Sequence, residues 1–195
     1  AALALIVVLV AAVTVNTLRK GSRQLDVPSL AVLPVDEQGA AKRLGEAVRL
    51  RTISSRDDPQ LNADQFQQFH ALLEQRFPKT HAALKREVVN GLSLLYTWQG
   101  SDAALPPILL TAHQDVVPIE PGTEKGWTHP PYGADIVDGK LYGRAAAVSK
   151  SDFATYTFAL RALQALAQSQ PVKGSVELHF TYDEEFGGEL GPGWL

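Results

Sequence analysis

An apolar segment that ends in a histidine and an acid constrains the fold of this chain more than any other feature. Residues 109–118 read Leu-Leu-Thr-Ala-His-Gln-Asp-Val-Val-Pro, so His113 and Asp115 lie two residues apart where the apolar run ends. On a β-strand, residues i and i+2 point to the same face, and both side chains can therefore address one centre. Imidazole is the commonest metal ligand among side chains, and a neighbouring carboxylate can accept its other ring proton. The pattern predicts a strand that leads into a metal site.

A second polar cluster follows another strand-like segment about seventy residues later. Residues 176–188 read Val-Glu-Leu-His-Phe-Thr-Tyr-Asp-Glu-Glu-Phe-Gly-Gly, which is typical of a strand that runs into a loop. One glutamate of the pair Glu184 and Glu185 can bind a metal ion while the other acts as a general base on water. Acidic groups this close together require a cation or a proton between them.

Two further segments lie between these clusters. Residues 126–132 read Gly-Trp-Thr-His-Pro-Pro-Tyr, and residues 138–144 read Asp-Gly-Lys-Leu-Tyr-Gly-Arg. Taken in this order over roughly residues 41–195, the four segments resemble the zinc-dependent aminoacylase and carboxypeptidase family, in particular its carboxypeptidase-S-like branch.

The resemblance implies a role for each candidate site residue. His113 matches the first zinc ligand, Asp115 the carboxylate that orients it, Glu184 the general base, and Glu185 a ligand of a second zinc ion. The implied activity is hydrolysis of amide bonds in small peptides or N-acyl amino acids. In it, Glu184 deprotonates water that attacks a carbonyl polarised by zinc, and then protonates the leaving amine.

The chain departs from the family where a metal-bridging aspartate is expected. Residues 143–152 read Gly-Arg-Ala-Ala-Ala-Val-Ser-Lys-Ser-Asp, which places Val148 at the bridging position and Ser149 at the next acid. Asp152 is the nearby carboxylate that can replace the missing metal ligand. Alternatively, Asp152 lies in the first turn of a helix, where the helix dipole favours an acid. Ala145 replaces a family glycine, which matters if that position needs a positive φ.

Two functions therefore stand as hypotheses. The first is a zinc hydrolase, which in a complete family member holds two ions. The second is a catalytically inactive relative that serves as a binding or dimerising module, because Val148 cannot bind zinc. The family's remaining ligands and its lid domain have no counterpart before Leu195, so we expect an amino-terminal portion of a longer protein.

Composition excludes several other classes. The chain has 195 residues, of which 45% are hydrophobic and 20% charged, as expected for a folded domain. A net charge of -3 without a basic stripe argues against a nucleic-acid partner. The absence of cysteine excludes disulfides, thiol catalysis and cysteine zinc sites.

The chain is predicted to have three parts. Residues 1–15 form an apolar run that is followed by Asn16, Thr17 and Leu18 and then by the basic Arg19 and Lys20. Because no good small-residue cleavage site follows, residues 1–18 are interpreted as an uncleaved signal-anchor rather than a signal peptide or a buried core helix. The basic residues by themselves favour the cytoplasmic side for the domain that follows. Residues 19–39 form a linker, and residues 40–195 form part of the catalytic domain. The family resemblance implies that this domain lies outside the cytoplasm.

The periodicity predicts an α/β fold with a mixed central sheet and helices on both faces. The histidines other than His113 are interpreted as packing or loop residues. The predicted helices are 40–51, 63–77 and 151–167, and the predicted strands are 85–89, 93–99, 107–111, 141–143 and 175–181, with 107–111 in the centre of the sheet.

Overall fold

The structure, a computed structural model, describes residues 1–22, 26, 34, 36–148, 150 and 172–194. It divides into two units, Ala1–Val35 and Asp36–Leu195. The helix predicted over 151–167 lies outside the described residues, together with Ser149 and Asp152.

Among the described residues of the first unit there is one helix, α1, which covers Ala2–Arg19. None of its residues is buried, although most are large and apolar. Its 18 residues correspond to about 27 Å, close to the thickness of the hydrocarbon core of a bilayer. By length and composition α1 can cross a membrane, a property that it shares with signal sequences.

The second unit begins with α2, which covers Glu37–Val48 instead of the predicted 40–51. The helix begins earlier because the side chain of Asp36 accepts a hydrogen bond from the backbone N–H of Gly39 and caps the first turn. It also ends earlier, and Nζ of Lys150 donates to the carbonyl oxygens of Ala47 and Leu50 at this end of the helix, at 2.8 and 2.6 Å. No local pattern could have indicated this second contact.

Two helices follow α2. Helix α3 covers Ala63–Arg76, one residue short of the prediction, and buries Phe66, Phe69 and Leu73 as its spacing indicates. A short helix, α4, covers Pro78–Ala83 and was not predicted. The sequence feature that indicates α4 is the proline at its first position. The backbone N–H at that position has no partner within a helix, so its absence in proline loses no hydrogen bond.

Four strands form a mixed sheet of order β1-β2-β6-β3: β1 is Lys85–Val89, β2 is Ser93–Trp98, β3 is Ile108–His113 and β6 is Val176–Thr181. β6 pairs antiparallel with β2 and parallel with β3. β3 ends two residues later than the predicted range of 107–111, so it includes His113. The mixed sheet confirms the predicted fold class.

A separate hairpin joins β4, Asp135–Val137, to β5, Lys140–Tyr142. β4 was missed, although the Asp138-Gly139 turn between the two strands is a common hairpin signal. Both turn residues have positive φ, at 50° and 72°.

The core lies where α2 and α3 pack on one face of the sheet. Its buried residues are Ala47, Phe69, Leu73, Phe77, Leu84, Leu94, Tyr96, Leu178 and Phe180. The prediction that β3 is a central strand was wrong for the described sheet, where β3 lies at one edge with Ile108 and Leu109 62% and 47% exposed. β6 occupies an interior position, since its backbone pairs with β2 on one side and with β3 on the other.

Candidate metal centre

The candidate centre lies where two parallel strands end side by side. His113, the last residue of β3, is in register with Thr181, the last residue of β6. The backbone N–H of Gln114 donates to the carbonyl of Thr181 at 2.8 Å and continues the pairing by one residue. Parallel strands place their carboxyl ends at the same edge, so the segments that carry the two polar clusters meet there.

The carboxylate of Asp115 connects these segments. It is fully buried and accepts a hydrogen bond from Nδ1 of His113 at 3.1 Å. It also accepts from the backbone N–H groups of Glu184 and Glu185 at 3.3 and 3.0 Å. One side chain therefore orients the histidine and holds the turn that carries both glutamates.

A fourth donor to Asp115 is the hydroxyl of Ser54, at 2.6 Å. Ser54 reaches the site because its segment runs beside residues 114–116: Thr52 accepts from the backbone N–H of Val116 at 2.9 Å. Sequence reasoning placed Ser54 in a polar loop and missed this contact. A pairing sixty-one residues apart has no local signal.

Three of the predicted residues form a group that can hold a metal ion. The ligand atoms of His113, Glu184 and Glu185 all lie within 4.8 Å of one another. Nε2 of His113 is 3.9 Å from Oε2 of Glu184, whose side chain is 54% exposed. Since Nδ1 of His113 donates to Asp115, the neutral ring presents the lone pair of Nε2 to this group.

The electrostatics of the group favour a cation. Burial lowers the pKa of His113, but the hydrogen bond to Asp115 and the charges of Asp115, Glu184 and Glu185 outweigh burial and raise it. Burial raises the pKa of Glu185, the positive charges of His113 and Arg144 oppose this shift, and Asp115 and Glu184 add to it. The raised pKa of His113 thus reflects the negative charge of the surrounding carboxylates, whereas that of Glu185 reflects chiefly its burial. A metal ion beside these carboxylates can neutralise their charge.

The turn after β6 is shaped by Asp183 and two glycines. Asp183 is buried and accepts from the hydroxyl of Thr181 and the backbone N–H of Leu190, at 3.0 and 2.7 Å. Gly187 and Gly188 have φ of 108° and 70°, which glycine adopts without strain. Asp183 therefore supports the loop and is not in the ligand group.

The segment of residues 143–148 lines a cavity of about 240 Å³ beside Glu185. Val148 lies in this wall, is 62% exposed and offers no ligand atom. Ala145 has φ of 65°, so the position where the family has glycine does require the left-handed conformation. An L-residue there costs roughly 1–2 kcal/mol.

Two other histidines lie outside the ligand group. His179, in β6, is buried, and burial lowers its pKa. Nδ1 of His129 donates to Oδ2 of Asp135 at 3.1 Å, and the centroid of its ring lies 4.2 Å from that of Tyr142. His129 and Tyr142 line a second cavity of about 400 Å³, which Trp127 shares with the first.

Comparison with known families gives a match over the site. Residues 109–195 match the model described as Peptidase family M20/M25/M40. This segment contains His113, Asp115, Glu184 and Glu185.

Curated relatives match a longer part of the chain. The chain is 39% identical over 144 residues to the probable carboxypeptidase S-like 1 of Dictyostelium discoideum, covering 73% of this chain and 29% of that protein. It is 34% identical over 166 residues to carboxypeptidase S of Saccharomyces cerevisiae, covering 81% and 28%. It is 35% identical over 159 residues to the mouse (Mus musculus) N-fatty-acyl-amino acid synthase/hydrolase PM20D1, covering 80% and 30%. The chain thus spans about three tenths of the length of these relatives.

Solved structures share the fold. Human carnosine dipeptidase 1 superposes with a TM-score of 0.62 at 23% identity, over 79% of this chain and 34% of that one. The M20 family metallo-carboxypeptidase Sso-CP2 from Sulfolobus solfataricus gives a TM-score of 0.59 at 19% identity, over 81% and 33%.

Proposed function

Since the chain belongs to Peptidase family M20/M25/M40, we propose that its full-length protein is a zinc-dependent hydrolase of amide bonds in small peptides or N-acyl amino acids. The observation that carries the proposal is the arrangement around Asp115. Its two oxygens hold both the ring of His113 and the backbone of Glu184 and Glu185. A buried carboxylate with these partners preorganises a ligand histidine and an acidic pair.

The relatives support the substrate class. Carboxypeptidase S is named for cleavage next to a free carboxyl end, and PM20D1 for hydrolysis of N-fatty-acyl-amino acids. Both names describe an amide bond whose amine side is an amino acid. We propose the same bond type for this protein.

The donor set supplies part of a zinc site. Nε2 of His113 and a carboxylate oxygen of Glu185 are ligand types found in catalytic zinc sites, which hold the ion with three protein ligands and leave a fourth position open. When bound, zinc would polarise the amide carbonyl and lower the pKa of water. A second ion needs a ligand that Val148 does not supply, and Asp152 remains the candidate for it.

Glu184 is the proposed general base. Its carboxylate is 3.9 Å from Nε2 of His113, and its side chain is exposed. It can therefore accept a proton from water beside the metal position and return it to the leaving amine. Glu185, whose N–H makes the shorter bond to Asp115, is the proposed ligand.

A second candidate function rests on Val148. If one missing carboxylate prevents metal binding, the same fold acts as a binding or dimerising module without catalysis. This alternative requires that the full-length protein folds without metal and hydrolyses no amide.

The test uses the full-length protein and the variants Glu184→Gln and His113→Ala. We expect hydrolysis of N-acyl amino acids by the native protein, a loss of at least about 100-fold in kcat for Glu184→Gln with zinc retained, and loss of zinc for His113→Ala. Glu189→Gln is the matched control, because Glu189 is exposed and pairs with Arg56 outside the group. Metal analysis and hydrolysis assays decide between the candidates, since a stable, metal-free and inactive native protein would establish the module.

For localisation we propose that α1 anchors the protein in a membrane, with the second unit outside the cytoplasm. The support is the length and apolar composition of α1 and its lack of any buried residue.

A further inference from the structure

A short segment of residues 52–54 runs beside the strand end that carries the candidate centre. It pairs in parallel with the residues that follow β3, and the backbone N–H of Val116 donates to the carbonyl of Thr52 at 2.9 Å. The hydroxyl of Thr52 donates in turn to the carbonyl of Gln114 at 2.7 Å. In an extended segment residues i and i+2 point to the same side, so the hydroxyls of Thr52 and Ser54 both face this strand end.

The start of α3 also fixes the segment. Nδ2 of Asn62 donates to the carbonyl of Ile53 at 3.0 Å. Asn62 immediately precedes α3 and has a φ of 56°, a conformation that asparagine adopts more readily than most residues. Ser54 is only 3% exposed, so bulk water does not compete for its hydroxyl. The hydroxyl is therefore held in place before any ligand arrives.

Four hydrogen bonds to Asp115 are shared equally between its two oxygens. Oδ1 accepts from Nδ1 of His113 and from the backbone N–H of Glu184, at 3.1 and 3.3 Å. Oδ2 accepts from the hydroxyl of Ser54 and from the backbone N–H of Glu185, at 2.6 and 3.0 Å. The bond from Ser54 is the shortest of the four and has the length of a charge-assisted hydroxyl–carboxylate bond.

Ser54 is the one donor among these four that belongs to neither polar cluster. His113 is two residues from Asp115, and both backbone donors belong to the turn after β6. A shift of that turn moves its N–H groups with it, whereas a separate segment holds the hydroxyl of Ser54. This hydroxyl therefore restrains rotation of the carboxylate about its Cβ–Cγ bond, and Oδ1 stays directed at Nδ1 of His113.

We propose that Ser54 is a positioning residue of the candidate metal centre: by holding Oδ2 of Asp115, it keeps Oδ1 on Nδ1 of His113 and thereby directs Nε2 at the metal position. The inference rests on the proposed function, because it assigns the contact that prepares a zinc ligand. Removal of a hydrogen-bond partner behind a ligand histidine typically lowers metal affinity by about 10- to 100-fold. Ser54 acts through Asp115, so its effect should pass through the orientation of one ring.

The first experiment measures the zinc affinity of the full-length protein by competition with a chelator. Ser54→Ala should weaken zinc binding by about 10- to 100-fold. Thr52→Val is the matched control, because it removes a buried hydroxyl of the same segment that donates to a backbone carbonyl and not to Asp115. Urea unfolding of the zinc-free proteins should show a loss of stability in both variants, but Thr52→Val should keep zinc affinity within about threefold of the native value. Unchanged affinity in Ser54→Ala, or equal losses in both variants, would overturn the proposal.

The second experiment needs no metal and observes the ring of His113 directly. In the zinc-free full-length protein with isotope-labelled histidine rings, NMR at alkaline pH reports which ring nitrogen carries the proton, and His113→Gln identifies the signal. The proposal predicts the proton on Nδ1 in the native protein and in Thr52→Val, and a mixture of both tautomers in Ser54→Ala. The same tautomer in all three proteins would contradict it. A native protein that binds no zinc would refute the proposed function, while the tautomers would still decide the role of Ser54.

Discussion

At the scale of single residues, metal binding at the candidate centre depends on the side chain at position 148, in the cavity wall formed by residues 143–148. Val148 is exposed in that wall, which Glu185 also lines, and it is not among the described core residues. An acidic side chain fits there without creating a cavity or burying a charge. The surroundings therefore accept the carboxylate that the family has at this position.

We expect Val148→Asp to bind zinc more tightly than the native protein, by about tenfold or more, and to take up additional zinc. The physical reason is that a further carboxylate oxygen beside Glu185 completes a ligand set for a divalent ion. Zinc titration against a chelator and metal analysis check this expectation. Val148→Asn is the control of equal size, and equal zinc affinity in both variants would contradict the prediction.

At the scale of elements, a buried network ties α3 to the strand that carries the site. Nε2 of Gln114 donates to the carbonyls of Leu92 and Phe180 at 3.0 and 2.7 Å, which fixes the orientation of its amide. Its Oε1 therefore accepts from Nε2 of His70 at 2.8 Å. Gln114 lies between His113 and Asp115, so this network sets the position of the strand end.

The network predicts a pH dependence of stability. Burial lowers the pKa of His70 and the charge of Arg86 adds to this, while hydrogen bonds to Gln114 and Leu92 oppose it. Below about pH 6.5 the unfolded chain gains a proton that the folded chain resists, so stability falls as the pH falls, by up to about 1.4 kcal/mol per pH unit.

His70→Gln should reduce this slope, because glutamine can still donate to Gln114 and does not titrate. Urea unfolding of both proteins between pH 7.5 and 5.5 measures the difference. His179, whose pKa burial also lowers, leaves part of the slope in both proteins. Parallel curves for the two proteins would show that His70 is not the group responsible.

At the scale of the whole molecule, the chain consists of two units with different surface chemistry. The unit that contains α1 exposes large apolar side chains along the helix, whereas the second unit has its own core around the sheet. An apolar helix of this length is unfavourable in water unless lipid or protein covers it.

We expect the full-length protein to partition into membranes and a chain that begins at Asp36 to remain in the aqueous phase with its fold intact. Carbonate extraction and detergent phase separation of both forms measure the partition. Val8→Lys with Leu9→Lys in the full-length chain is the control, because charges in the middle of α1 should release it without touching the second unit. Membrane association of the shortened chain would contradict the prediction.

Local patterns in the sequence were sufficient to predict the α/β class, the mixed sheet, five of the six described strands and α3, because periodicity and turn residues act within a few positions. The order of the four segments was sufficient to identify the family. The same segments indicated four site residues, His113, Asp115, Glu184 and Glu185, whose roles in metal binding and catalysis stay predictions.

Contacts between distant segments decided the rest. Ser54 at Asp115, the end of α2 at Lys150, and the interior position of β6 all depend on residues far apart in the chain. The positive φ of Ala145 likewise became visible only in three dimensions, as did the buried Nε of Arg144, which has no hydrogen-bond partner among the described residues. The sequence by itself determined which chemical groups the site contains, and the tertiary structure decided which of them meet, because hydrogen bonds and burial depend on distances in space that sequence spacing does not set.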